Sequence, residues 1–363
     1  MIKTTKQLKD LVGNRAHGDS AKSMLFLRNY AMERFLERLS ASKYRNCFIL
    51  KGGMLISAMV GIDSRATMDI DTTLRNYPLN CESAEQIVRQ IADVEIDDKI
   101  SFVIKKTEEI MEDSEYQGVR LSLDAYLDKT RIPLKIDIST GDVITPCEIS
   151  FSYQLMFENR TIPLLAYPPE TVLAEKLETI LSRGEANTRL RDFYDVYILQ
   201  REDFVVTPDA LRYALLATCR TRGHEDLLHT YASILDGVRQ SGAMRTQWMK
   251  YQTDFDYAAG ITWDTVLDTV ETLSSTKPVK IVRFSPVLSF ICSVFQVPKQ
   301  PDPHADPHGE RSGRKQWKQE EQRVLISEQK VLKTSKNRCF YSFSTLRNQQ
   351  VAGSSPATSS RNR

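Results

Sequence analysis

The sequence predicts an α+β fold: a core that mixes strands with helices, followed by an all-helical C-terminal domain. Three observations predict it. Strand-like and helix-like segments alternate up to about residue 139. From Pro168 to about Ser275 the apolar residues recur at helical spacing. The last stretch is polar, Pro-rich at its start and without sustained periodicity. The expected boundaries are 1–165 for the α+β core with its N-terminal helix, 166–278 for the helical domain, and 279–363 for a disordered or non-native tail.

Taken in order, Asp19 or Ser20 caps a helix that runs to about Ser40, with Met24, Leu25, Leu27, Ala31, Phe35, Leu36 and Leu39 on one face. "NCFILKG" reads as a short buried strand that ends at Gly52 and Gly53. "MLISAMVG" gives two helical turns stopped by Gly61, and "TMDIDTTL" alternates as a strand. "SAEQIVRQIADV" is an amphipathic helix, and "ISFVIKKTEEI" and "VRLSLDAYL" are strand candidates. In "IPLKIDIST", Ile132, Leu134, Ile136 and Ile138 take one face of a strand and Lys135 and Asp137 the other. "PPETVLAEKLETILSRG" opens with prolines and an acid and closes with Arg and Gly, as a helix does. "NTRLRDFYDVYILQ" and three or four further helical stretches follow it.

Composition is that of an ordinary globular protein, 41% hydrophobic and 26% charged. The net charge of +2 hides an asymmetry, since residues 299–363 carry +7 and residues 1–298 carry −5. Six widely separated cysteines without a CxxC pair argue against a zinc site or a disulfide framework. The N-terminus lacks the apolar core of a secretory leader, and "VLSFICSVF" is about half the length of a membrane span. A cytoplasmic protein without membrane contact is expected. In the tail, Gly353-Ser354-Ser355-Pro356 can be encoded by GGT-TCG-AGT-CCN, which resembles the T-arm of a tRNA gene. A reading frame that runs past its ancestral end would produce such a tail, and an ordinary Ser-rich tail is the alternative.

The chemistry concentrates in "ILKGGMLISAMVGIDSRATMDIDTTL", residues 49–74. On a strand, residues i and i+2 point the same way, so Asp69 and Asp71 present two carboxylates on one face while Ile70 faces the core. Two like charges this close call for a cation between them, and hard oxygen ligands favour Mg²⁺ or Mn²⁺. Asp137, opposite an apolar strand face, is the candidate third ligand. Gly52 and Gly53 allow a tight turn, and the N-terminus of the helix after them is a seat for phosphates, with Lys51 adding charge. Each piece alone is common. Their order, strand, Gly-Gly, helix, DxD strand and later KxD strand, is considerably more specific.

This pattern resembles the polymerase-beta-like nucleotidyltransferase superfamily, and within it the AbiEii/AbiGii toxins of type IV toxin–antitoxin and abortive-infection systems. The resemblance spans roughly residues 15–275. "FILKGGMLISAMVGIDSRATMDID" resembles the first family motif, "KIDI" the second, "VLAEKLETI" the third and "RDFYDVY" the fourth. It implies that Asp69, Asp71 and Asp137 hold metal, that Lys176 contacts nucleotide phosphates, and that Asp192 and Asp195 complete the site. It further implies an NTP donor, Mg²⁺ or Mn²⁺, an acceptor at the 3′ end of tRNA, and an AbiEi-like antitoxin as partner. The sequence departs from many relatives in having Gly-Gly where they have Gly-Ser.

Other readings stand beside these. Lys176 on a helix also fits a surface lysine paired with Glu175 or Glu178, and Asp192 with Asp195 also fits a solvated acidic stripe. The five histidines show no partner arrangement. A local basic groove for nucleic acid is expected in "LRNYAMERFLERLSASKYR" or "LSRGEANTRLR". Modification of a protein or small molecule, including an antitoxin that modifies a partner kinase, fits the same site, and a catalytically inactive nucleotide- or partner-binding module is the alternative from another class.

Overall fold

Four residues, Phe48–Lys51, form β1, an interior strand of the sheet that is buried along its whole length. The computed structural model describes residues 2–111, 117–201 and 206–275, all within the unit Met1–Lys277, and the expected tail at 279–363 lies outside the described residues. Seven strands make one mixed sheet: β1, β2 (Asp69–Leu74), β3 (Ile100–Met111), β4 (Gln117–Leu127), β5 (Thr130–Ser139), β6 (Ile149–Gln154) and β7 (Thr161–Ala166), in the order β3-β4-β5-β2-β1-β7-β6. β2 pairs antiparallel with β1 and parallel with β5, and β1 pairs parallel with β7.

Five of these strands fall where the sequence predicts them. β6 and β7 fall in 140–167, for which the sequence predicts no element, yet β7 is an interior strand between β1 and the edge strand β6. Its alternation is real: Ile162, Leu164 and Ala166 are buried between exposed Thr161 and Pro163. A proline in the run masks the pattern, because Pro163 cannot donate to a sheet ladder.

Ten α-helices accompany the sheet among the described residues. The first, α1 (Thr5–Ala16), is not foreseen by the sequence reading. Thr4 caps it and Leu8, Val12 and Ala16 give a buried stripe at four-residue spacing, a signal diluted by the polar remainder. α2 (Ser20–Ala41) begins where expected, with the Asp19 carboxylate accepting from the Lys22 N–H at 3.0 Å. α3 (Gly52–Val60) starts directly at the glycine pair. α4 (Cys81–Ala92) carries a reciprocal Asn80–Ser83 cap, and α2 and α4 pack against the sheet. After β7 only helices follow: α5 (Pro169–Arg183), α6 (Leu190–Arg201), α7 (Pro208–Thr221), α8 (Leu227–Gln240), α9 (Gly242–Asp254) and α10 (Trp263–Ser274). α5 packs on α6, α7 and α8, and α10 packs on α6 and α8.

α2 also buries charge. Its Arg38 forms a bidentate pair with Asp98 at 2.7 Å on both arms, and Glu33 accepts from the Met156 N–H and from Asn29. Burial pushes the Glu33 carboxyl up to about 8, only partly offset by the Met156 N–H and Arg34. A group whose folded pKa is raised contributes stability that is complete below its unfolded value, near 4.5, and is lost as pH climbs through about 8. Glu33→Gln is therefore expected to flatten the pH dependence of unfolding between those limits, by up to about 1.4 kcal/mol per pH unit. Denaturant melts of both proteins across that range check this, and parallel pH profiles would contradict it.

Candidate active site

The sheet aligns charged residues in a row. Lys51 of β1 lies opposite Asp71 of β2, Asp71 opposite Asp137 of β5, and Asp137 opposite Arg120 of β4. Directly opposite residues share a face, so Lys, Asp, Asp and Arg stand side by side across four strands. Asp69 stands on the same face one rung along, opposite Lys135. The alternate residues Ile70, Ile136 and Ile138 are fully buried, which fixes the strand register and with it the direction of the carboxylates.

The glycine turn is fitted to this row. Gly52 adopts φ +60°, a conformation that side chains other than glycine's rarely take, and a Cβ there would stand 2.2 Å from Asp71 Oδ2. The Gly53 N–H donates to that same oxygen at 3.0 Å. A Cβ on Gly53 would meet Thr67 Oγ1 at 2.6 Å, so a threonine hydroxyl from the loop after α3 stands beside the turn. Burial and the facing Asp137 push the Asp71 carboxyl up to about 6, and the same two causes raise Asp69. Lys51 is held differently. Its ammonium donates to Ser139 Oγ at 2.8 Å and to Asp142 Oδ2 at 3.0 Å, in a network that also includes Thr73 and Tyr167.

The third and fourth motifs meet in a second cluster. Lys176 of α5 bonds Asp192 of α6 and lies 3.3 Å from Asp195, whose carboxylate takes two bonds from Arg65 at 2.6 and 3.2 Å. Asp192 and Asp195 are buried, which removes the solvated-stripe reading, and Lys176 pairs with them rather than with Glu175 or Glu178. Burial would lower the Lys176 pKa, but Asp192 and Asp195 outweigh it and raise it. Burial would raise Asp195, but Arg65 and Lys176 outweigh it and lower it. Arg65, 1% exposed, escapes a sequence reading because nothing in "GIDSRATMD" marks one arginine of a polar loop as buried.

These elements line one cleft of about 1020 Å³. The turn, the carboxylate row and Lys176 form one part of it. Arg189 and Arg191 at the start of α6, Lys250 and Tyr251 of α9, and Phe255 just after α9 form another. Arg191 stacks over the Phe255 ring at 5.7 Å. Of the two segments expected to supply a basic groove, "LSRGEANTRLR" lines the cleft with Arg189 and Arg191, whereas Arg34 and Arg38 of the other are buried in ion pairs. Phe193, Tyr194 and Tyr197 are core residues. His224 does have a partner, Glu178 Oε1 at 2.7 Å.

Among the described residues, no group of three or more His, Cys, Asp or Glu side chains is placed to hold a metal ion. In the carboxylate row, both oxygens of Asp137 are engaged by Arg120, at 2.8 and 2.6 Å. The described residues also contain no helix long and apolar enough to cross a membrane.

No curated protein matches the chain. Among solved structures, the chain is similar to a putative nucleotidyltransferase from H. pylori, with 14% identity, a TM-score of 0.38, and coverage of 70% of this chain and 98% of that one. It is similar to JHP933 from Helicobacter pylori (15% identity, TM-score 0.39, 69% and 91%) and to an antigenic nucleotidyltransferase-like protein from Paracoccidioides brasiliensis (13%, 0.31, 64% and 94%). The profile of a family described as nucleotidyl transferase AbiEii toxin, type IV TA system, matches residues 34–269, more than half of the chain and all four sequence motifs. The chain belongs to the AbiEii family of nucleotidyltransferase toxins of type IV toxin–antitoxin systems.

Proposed function

We propose that this nucleotidyltransferase moves a nucleoside monophosphate from an NTP to the 3′ end of tRNA, releasing pyrophosphate, as the toxin of a phage-defence system held in check by an AbiEi-like antitoxin. The observation that carries the site assignment is the fit of the Gly52-Gly53 turn to the carboxylate row, with a buried hydrogen bond from Gly53 to Asp71. A glycine turn that opens a helix offers the positive end of the helix dipole to donor phosphates. Thr67 adds a hydroxyl beside that turn. Lys176 offsets charge on the leaving pyrophosphate, and Asp192 and Asp195, with Arg65 behind them, hold its ammonium in place. Lys51, held by Ser139 and Asp142, adds positive charge beside the turn.

The donor set fits a hard divalent cation, Mg²⁺ or Mn²⁺. Burial and the neighbouring Asp137 hold Asp69 and Asp71 above the usual carboxylate range, and all three carboxylates line the cleft. Such an ion, held by Asp69, Asp71 and Asp137, supplies charge stabilisation for phosphoryl transfer and a lowered pKa for the acceptor hydroxyl. The acceptor reading is supported by the far part of the cleft. In a chain whose residues 1–298 carry −5, Arg191 and Lys250 face the cleft without an acidic partner among the described residues, next to an aromatic ring. Cations with a stacking surface suit a single-stranded nucleic-acid end.

Incubation with each of the four α-³²P NTPs and total tRNA tests the acceptor. Label is expected on untreated tRNA and not on tRNA whose terminal diol periodate has destroyed. Label that persists after oxidation, or that appears on a protein or small metabolite instead, overturns the tRNA 3′-end assignment.

A further inference from the structure

We propose that Arg120 is a resident stand-in for the divalent cation: its guanidinium occupies Asp137 while the ion is absent and must leave that carboxylate when the ion binds. The inference rests on the reading of Asp69, Asp71 and Asp137 as ion ligands, and it concerns what sets the affinity of that site.

Register provides the first argument. Asp71 and Asp137 are directly opposite on neighbouring strands, the arrangement in which like charges destabilise a sheet. The fold answers with a cation of its own on the next strand, since Arg120 lies directly opposite Asp137 on the other side. Geometry provides the second. The Nε and Nη2 donors of Arg120 each take one oxygen of Asp137, at 2.8 and 2.6 Å, a forked pair that leaves neither oxygen unengaged. Asp71 has only the Gly53 N–H on one oxygen. Asp69 and Asp71 are therefore present while the third carboxylate is already taken by Arg120.

Exposure provides the third argument. Asp137 is nearly buried with its side chain 10% exposed, whereas the Arg120 side chain is 33% exposed and lines the cleft. The guanidinium can swing into the cleft on its flexible stem, while the carboxylate is fixed by β5. With a dication held by Asp69, Asp71 and Asp137, Asp137 would no longer need Arg120 as its counter-charge, and the guanidinium beside it would be repelled. Arg120 is thus a positioning residue that trades one partner for another, and its removal frees the carboxylate in advance.

Binding of Mn²⁺ to the full-length protein without nucleotide, followed by electron paramagnetic resonance of the free ion, tests this apart from activity. Wild type, Asp71→Asn, Arg120→Ala and Arg120→Met are compared, with circular dichroism and a thermal melt for each. Arg120→Met keeps the stem and serves if the alanine variant does not fold. The expected result is Mn²⁺ binding by wild type that Asp71→Asn loses and that Arg120→Ala or Arg120→Met tightens by about tenfold, the scale of one nearby charge at a partly exposed site. Wild-type binding that Asp71→Asn loses but that the Arg120 variants leave equal or weaken overturns the stand-in role alone, and makes Arg120 a brace for Asp137. No Mn²⁺ binding by any folded variant overturns the ion reading and the stand-in role together.

Discussion

Gly52→Ala is expected to abolish nucleotidyl transfer while leaving a folded protein. The cause is local. The added methyl would stand 2.2 Å from Asp71 Oδ2, 2.6 Å from Asp71 Cγ and 2.7 Å from its Cβ, and the backbone at φ +60° already disfavours any side chain. Asp71 cannot step aside without breaking its bond from Gly53 or leaving the β2–β5 pairing. Either the carboxylate rotates or the turn opens, and in both cases the phosphate seat and the carboxylate lose their common geometry. Strain of this kind costs about 1–3 kcal/mol. The loss in rate is expected on the order of 10²–10³ or more, comparable to deleting a preorganised group at a transition state. A transfer assay alongside a thermal melt checks both parts. Activity within a few-fold of wild type would show that the turn does not shape the site.

The second large effect is on stability. Arg65→Met removes the guanidinium that holds Asp195, a carboxylate with no exposure, and leaves only Lys176 at 3.3 Å for it. Breaking a buried pair by deleting one partner costs roughly 3–5 kcal/mol because a charge is left without compensation. For a chain of this size that corresponds to a melting temperature lower by about 10 °C. The double variant Arg65→Met/Asp195→Asn is expected to recover part of the loss, since it removes the stranded charge. A single variant that melts with wild type, or a double variant worse than the sum of the singles, would contradict this account. The pair also joins the 61–67 loop to α6, as does the Tyr194 hydroxyl, which donates to the Ser64 carbonyl. The effect should therefore reach Thr67 and the Gly53 turn beside it.

The main elements of the site were legible because each depends on a local rule. Alternation placed Asp69, Asp71 and Asp137 on strand faces opposite buried isoleucines, and the glycine pair marked the turn before a helix. Spacing of three put Asp192 and Asp195 on one helical face, where Lys176 meets them. What stayed hidden depends on contacts between distant segments. Arg120 sits in an ordinary strand, "VRLSLDAYL", and only the antiparallel register of β4 with β5 brings it to Asp137. Arg65 lies in a loop whose sequence carries no periodic signal, Thr67 falls just ahead of β2, and the partners of each are far along the chain or around the turn. β7 was obscured by Pro163, and α1 by a mostly polar composition around three buried residues. Phe255, just after α9, joins the cleft only through the packing of the helical half.

The central claim is that the carboxylate row held by the glycine turn is the transfer centre. Its most direct test is transfer of label from α-³²P NTPs to total tRNA with Mg²⁺ by wild type and Asp71→Asn in parallel. Asparagine keeps the shape of Asp71 and an oxygen that can still accept from Gly53, so the fold is retained and only the charge is lost. The account predicts label with wild type and a loss of at least about 10²–10³-fold with Asp71→Asn at an unchanged melting temperature. Equal label from both proteins, or none from either when shown to be folded, would contradict it.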